Sequence, residues 1–170
     1  MRIKSLVLAA GMAAAALGAS PASAVTPPTQ AQGHALLLIP LTLTKIQDLD
    51  FGSVVPSAVS GAVTINAATG ARTFAGGVTG VPSEVGNRAY FAGAGSPSQQ
   101  VILVLIPPAQ LTSTAGDTIP LLGLTMDGFP IRTIDPTHAF YVGVGGSIQV
   151  AANQPEGDYS ADFTLTAVYQ

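Results

Sequence analysis

The chain has 170 residues, no cysteine, and 9% charged residues, against roughly 25% in an ordinary globular domain. The absence of cysteine excludes disulfides, so stability must come from burial and backbone pairing. Without Arg2 and Lys4, four of the six basic residues remain against nine acidic ones, a net charge of −5. A chain this poor in cations has no basic patch for nucleic acid.

The first 24 residues have the composition of a secretory signal peptide. Arg2 and Lys4 form a basic start, residues 6–17 are apolar and rich in alanine, and residues 22–24 (Ala-Ser-Ala) form a small-residue cleavage site. We therefore expect the mature chain to begin at Val25 and to be exported. The longest later apolar runs are strand-sized, so no transmembrane segment is expected in the mature chain.

An extended leader and one domain are expected after the cleavage site. Residues 25–34 contain two prolines and small polar residues, which are typical of exposed chain. The domain is expected to cover residues 35–170. Its first predicted strand runs over residues 35–46, and Pro40, which cannot donate to a ladder, puts this strand at a sheet edge or bends it.

Short strands separated by glycine and proline are predicted for the middle of the chain, after a turn at 48–52 with Leu49 and Phe51 as core anchors. No stretch of the mature chain shows the 3.6-residue period of a helix. The predicted strands are a hairpin at 61–66 and 71–75, then 88–93, 99–106, 110–113, 121–126, 138–142 and 147–152. Loops or turns are predicted at 76–86, 93–97, 143–146 and 153–157. Residues 99–106 form the most apolar strand, which is expected to be central.

The last residues alternate strictly between apolar and other side chains. Every odd position from Tyr159 to Tyr169 is apolar, which predicts a strand with one buried face. A strand that runs to the terminus without fraying must be paired along one or both edges. The whole pattern predicts an all-β fold, an antiparallel β-sandwich. A barrel is the alternative, but the proline in the first strand fits an open edge better.

This terminal strand resembles the C-terminal strand of chaperone–usher pilins, which has a glycine fourteenth from the end and a penultimate tyrosine, here Gly157 and Tyr169. Most of the mature chain is also similar to a family of secreted proteobacterial pilin-like domains without assigned activity, and this resemblance implies an immunoglobulin-like β-sandwich and a secreted or surface role. The segments that carry this second resemblance are Ile39-Pro-Leu-Thr42, Leu49-Asp-Phe-Gly52, Gly61-Ala-Val-Thr-Ile65, Val144-Gly-Gly146 and Gly157-Asp-Tyr159. The missing disulfide departs from the common pilin pattern. Any exported β-sandwich can also end on an amphipathic strand.

No constellation of catalytic or metal-binding residues is found in the sequence. His34 and His138 are the only histidines, and no Gly-x-Ser-x-Gly nucleophile elbow is present. Asp48 with Asp50, or Asp158 with Asp162, could be calcium ligands, but neither pair has the further nearby acids of a calcium loop, and turn formation is the simpler role. We therefore expect no enzymatic activity, no cofactor and no metal.

The resemblance implies a structural subunit that associates by β-strand addition, in which a partner's extended segment pairs with an open edge. The assembly interface would be built by Gly157, Tyr159, Phe163, Leu165 and Tyr169, the last four lining the floor of a groove. The donor would be the leader of the next subunit. Because residues 25–34 have almost no alternating apolar side chains, the donor would have to include residues 35–43 as well. Expected partners are other copies or related subunits, with a periplasmic chaperone and an outer-membrane usher. The expected location is the periplasm, cell surface or extracellular space. The alternative is a self-complete secreted sandwich that binds a surface polymer or protein without polymerising.

We predict that exported protein lacks residues 1–24, because the Ala22-Ser23-Ala24 site should be cut. N-terminal sequencing of material secreted by the native host should start at Val25. Recovery of exported chains that begin at Met1 would contradict the secretion hypothesis.

Overall fold

The computed structural model describes residues 29–170, which form eleven strands and no helix, and so contain no helix that could span a membrane. All strand pairs are antiparallel, and the predicted all-β sandwich is confirmed. The strands are β1 (Thr42–Gln47), β2 (Val54–Ile65), β3 (Arg72–Gly80), β4 (Ala89–Ala94), β5 (Gln100–Ile106), β6 (Gln110–Ser113), β7 (Thr118–Met126), β8 (Ile131–Thr133), β9 (Ala139–Val150), β10 (Tyr159–Ser160) and β11 (Thr164–Tyr169). The predicted signal peptide and the start of the predicted leader lie outside the described residues.

Strand β9 organises the larger, eight-stranded sheet. Its first half pairs with β4 and its second half pairs with β2, so these two strands lie end to end along one edge of β9. Strand β7 pairs with the opposite edge. The sheet then extends through β1 beyond β4, β3 beyond β2, and β6 and β10 beyond β7.

The predicted turn at residues 143–146 is wrong, because these residues lie in the middle of β9. None of the three glycines there has a positive φ. They are needed for space: a Cβ on Gly145 would lie 2.2 Å from the carbonyl oxygen of Ile65, and one on Gly143 would lie 2.4 Å from that of Ala67. Glycine within a strand often marks such a close approach of another backbone.

Two other boundaries also differ from the prediction. Strand β1 begins at Thr42 rather than at residue 35, because Pro40 lacks an N–H and the preceding Ile39 donates its own N–H to Ser96 Oγ at 2.7 Å. Strand β3 continues through Gly80, where a loop was predicted from residue 76. The glycines of this segment mark a bulge in the β2–β3 pairing rather than the end of the hairpin.

The C-terminal strand is divided between the two sheets. Strand β10 pairs with β6 in the larger sheet, whereas β11 pairs with β5 along all six residues in the smaller sheet. Residues 161–163 cross between them. The alternation of burial holds from Phe163 to Tyr169, but Ala161 is exposed in the crossing.

The smaller sheet has the order β11-β5-β8, so the most apolar strand is central, as predicted. Its inner face packs against β4 and the first half of β9, and this first core contains Phe91, Val101, Leu103, Phe140 and Val142. A second core forms where the larger sheet curls on itself. Its buried members are Val63, Val78, Ile119, Ile148 and Val150. Leu49 packs on the first core and Phe51 on the second, as the sequence predicted.

We predict that Gly145→Ala destabilises the domain by about 2–3 kcal/mol, since its Cβ would meet backbone atoms that cannot rotate away. Gly33→Ala is the control, because a Cβ there meets nothing within 4 Å. The measurement is the denaturant midpoint of the mature protein. Equal midpoints for the two variants would show that β9 does not approach its neighbour this closely.

Candidate partner-binding groove

An apolar groove of about 910 Å³ lies on the inner face of the larger sheet. Its floor is built by β7 and β9, and the residues there are Ile119, Leu121, Leu124, Ile148 and Val150. Two irregular segments form its sides: the first wall (residues 48–54) and the second wall (residues 154–163). Because Ile119, Ile148 and Val150 are at most 5% exposed, an occupant would contact the two walls and the half-buried Leu121 and Leu124.

The groove exists because the smaller sheet is too narrow to cover the whole larger sheet. Side chains from β5 and β11 pack on the first core. Among the described residues, the second core has no member from the smaller sheet. The part of the larger sheet that surrounds the second core is therefore covered by the curl of the sheet itself and by the two walls.

The first wall is held in place by the side chain of Arg72 and by a backbone bridge between Asp50 and Asn87. Arg72 donates to the carbonyl oxygens of Phe51 at 3.0 Å, Ser53 at 3.2 Å and Val81 at 3.1 Å. Asp50 and Asn87 exchange both backbone hydrogen bonds at 2.8 Å. These contacts fix an irregular segment whose backbone groups would otherwise lack partners.

The second wall is held by Gln154 and Tyr159. The side-chain amide of Gln154 donates to the carbonyl oxygen of Thr118 at 3.1 Å and to the hydroxyl of Tyr159 at 3.0 Å. That hydroxyl donates in turn to the carbonyl oxygen of Pro155 at 2.8 Å. The half-buried ring of Tyr159 is thereby fixed against the second core.

The structure brings together three of the five residues predicted for the assembly interface. Gly157, Tyr159 and Phe163 line the groove. Leu165 and Tyr169 do not line it; they lie on β11 and pack on the first core. The expectation that Tyr159, Phe163, Leu165 and Tyr169 share one groove floor is therefore wrong, because the chain changes sheets after β10.

Gly157 has no geometric need to be glycine. Its φ is not positive, and a Cβ there would lie 3.4 Å from the Cβ of Ser113, an ordinary van der Waals contact. The glycine at position 157, which contributed to the resemblance to pilins, is therefore not required by any close contact within the described residues.

Tyr169 ties the end of the chain to the segment before β1. Its hydroxyl donates to the carbonyl oxygen of Ile39 at 2.7 Å and accepts from the backbone N–H of Ser96 at 2.7 Å. Since Ser96 Oγ also accepts from the N–H of Ile39, three residues form a closed set of hydrogen bonds, which we call the terminal clasp. Sequence reasoning missed Ile39 and Ser96, because no local pattern links positions 57 and 130 residues apart.

The rim of the groove is acidic. Six carboxylates line it, and Lys45 is the only basic side chain among the lining residues. The six are Asp48, Asp50, Glu84, Glu156, Asp158 and Asp162. The two acidic pairs that were considered separately in the sequence thus belong to one rim. No group of three or more potential metal ligands is found within residues 29–170.

His138 takes part in a surface turn. It is exposed, has a φ of 69°, and its Nδ1 lies 3.2 Å from the carbonyl oxygen of Gly95. The turn is closed by Asp135, whose carboxylate accepts from Thr137 Oγ1 at 2.7 Å and from the N–H of Ala139 at 2.9 Å. These hydrogen bonds, the one from Thr137 first, hold the pKa of Asp135 below its usual value. The geometry matches a structural turn.

A family model described as "Domain of unknown function (DUF4402)" matches residues 41–169. The chain therefore belongs to this family, and the match covers every strand from β1 to β11. No curated protein and no solved structure matches the chain.

We predict that Phe163→Asp destabilises the domain by about 2–4 kcal/mol. Phe163 packs edge-on against Phe91 with ring centroids 6.1 Å apart, and the change replaces this contact by a half-buried carboxylate. Thr164→Asp, one residue further on the exposed face, should cost about 0.5 kcal/mol or less. Thermal unfolding of both variants measures the difference. Equal shifts in melting temperature would show that Phe163 and Thr164 do not lie on a buried and an exposed face of the terminal strand.

Proposed function

We propose that this member of the DUF4402 family is an exported structural subunit that associates with other subunits by β-strand addition, as pilins do. The observation that carries the proposal is the apolar groove, whose floor consists of core positions of the larger sheet with no strand of the smaller sheet above them. An extended segment from a partner would cover this floor with alternate side chains.

An unpaired strand edge beside the groove supports this mechanism. Within residues 29–170, β10 lines the groove and pairs only with β6, so its other edge has no strand partner. Such an edge presents backbone N–H and C=O groups that an added strand can satisfy. The affinity would come from the backbone pairing, and the specificity from side chains that fit the floor.

The segment before β1 supports the identity of a donor. Leu36 and Leu37 are 74% and 89% exposed, and neither is part of a strand. Apolar side chains this exposed favour association with another surface. In the proposed assembly, this segment of one subunit occupies the groove of the next subunit.

The proposed role is structural rather than enzymatic and needs no cofactor. It requires export, which the predicted signal peptide would provide, and it places the protein in the periplasm, at the cell surface or outside the cell. A chaperone and an usher are proposed partners, because an unfilled apolar groove needs protection before assembly.

A second candidate function is a self-complete secreted sandwich that binds a surface polymer or protein. The observation that favours it is the low exposure of both cores in a single chain. Val63, Val142 and Val144 are 0% exposed with no donor strand present. In this alternative, the groove would take a ligand rather than a subunit.

We predict that Leu37→Asp abolishes polymers while leaving the monomer folded, because the change puts a charge on the proposed donor and touches no core residue. Phe129→Asp is the matched control, since Phe129 is 83% exposed and lies far along the chain, between β7 and β8. The measurement is the yield of heat-sensitive, high-molecular-weight species on gels from the native host.

The result expected is loss of polymer for Leu37→Asp alone. A wild-type protein that enters no polymer in the native host would contradict strand-addition assembly. The self-complete binding module would then be the better account.

A further inference from the structure

We propose that the groove selects a cationic occupant: an extended apolar segment of a different polypeptide that carries Lys or Arg at the positions facing the rim. This inference rests on the proposed strand-addition function and names the partner of the same groove.

The acidic residues of the chain are concentrated around this one feature. The chain has nine Asp and Glu residues in total, and six of them line the groove. All six are exposed, so their charge lies at the rim while the floor stays apolar. With Lys45 as the only basic residue among the lining residues, the groove carries a net charge of −5.

The carboxylates of the first wall already have partners. Asp48 binds Lys45 at 2.5 Å, Asp50 accepts from the N–H of Gly52 at 2.7 Å, and Glu84 accepts from the hydroxyl of Ser53. These contacts are local and stabilise the wall itself.

The carboxylates of the second wall are different. Glu156, Asp158 and Asp162 make no hydrogen bond or ion pair through their side chains with any residue in the described part of the chain. Their charges are therefore available to an occupant. Placing several like charges along one apolar groove raises the local concentration of cations and disfavours anionic partners.

The chain's own leader does not supply the complementary charge. Residues 25–41 contain no lysine or arginine, so the corresponding segment of another copy can cover the floor but leaves the rim uncompensated. Charge complementarity thus favours a segment of another protein over a second copy of this chain, and the copy becomes the weaker competitor for the same groove.

The experiment uses the mature protein and short synthetic peptides with valine at alternate positions. The peptides differ only in the residue between the valines, which is lysine, serine or glutamate. A fourth peptide has the sequence of residues 29–38. Binding is measured by fluorescence anisotropy at low and at physiological ionic strength.

We expect the lysine peptide to bind about tenfold more tightly than the serine peptide at low ionic strength, and the advantage to shrink with added salt. The residue 29–38 peptide should bind like the serine peptide, and the glutamate peptide should bind least. Asp158→Asn should reduce the preference for lysine severalfold without changing the affinity for the serine peptide. Asp117→Asn is the control: it makes the same change in net charge, and Asp117 does not line the groove.

The outcomes separate this inference from the function on which it rests. Equal affinities for the lysine and serine peptides would overturn the cationic preference and leave strand addition standing. The same effect of Asp117→Asn and Asp158→Asn would overturn it too, because the preference would then reflect the whole-chain charge. If no peptide binds, both the inference and strand addition at this groove are wrong.

Discussion

The rest of the fold depends on how closely neighbouring segments lie against strand β9 at its three glycines. At twelve residues, β9 is as long as β2 and longer than every other strand, and it pairs with β4, β2 and β7 at once. Backbone atoms of Ile65 and Ala67, at and just after the end of β2, lie directly against β9. Gly143, Gly145 and Gly146 leave space for such neighbours, since a Cβ at each would lie within about 2.5 Å of another residue's atoms.

The groove follows from the length of β9. A strand this long supports a sheet of eight strands, whereas the opposing sheet has only three. The three strands cover the first core, and the larger sheet must curl to enclose the second. The two walls cover the part of the second core that the curled sheet leaves open. Because the walls are mostly irregular, they leave a groove between them rather than a packed layer. The acidic rim lies on these same segments, which are exposed and tolerate charge.

The local features of the fold could be predicted from the sequence, and the long-range ones could not. Alternation predicted which residues of the terminal strand face inward, because it depends only on the direction of successive side chains. It did not predict that β10 and β11 belong to different sheets, because pairing partners are chosen by the whole topology. The glycines at 143–146 were taken for a turn, since glycine serves both turns and close approaches and only the neighbour distinguishes the two. The sequence showed only two separate aspartate pairs, because the fold brings residues 48–50, Glu84 and residues 156–162 together from distant positions in the chain.

The terminal clasp has a consequence for the timing of folding. It joins Ile39 to Tyr169, positions separated by 130 residues, and β11 lies against β5 only through the last residues of the chain. A polypeptide that emerges N-terminus first, from a ribosome or through a membrane channel, cannot close these contacts until Tyr169 is free. Loops of this length also close slowly, because their entropy must be lost before the contacts form. The first core, to which β11 contributes, is therefore completed only after β11 has emerged.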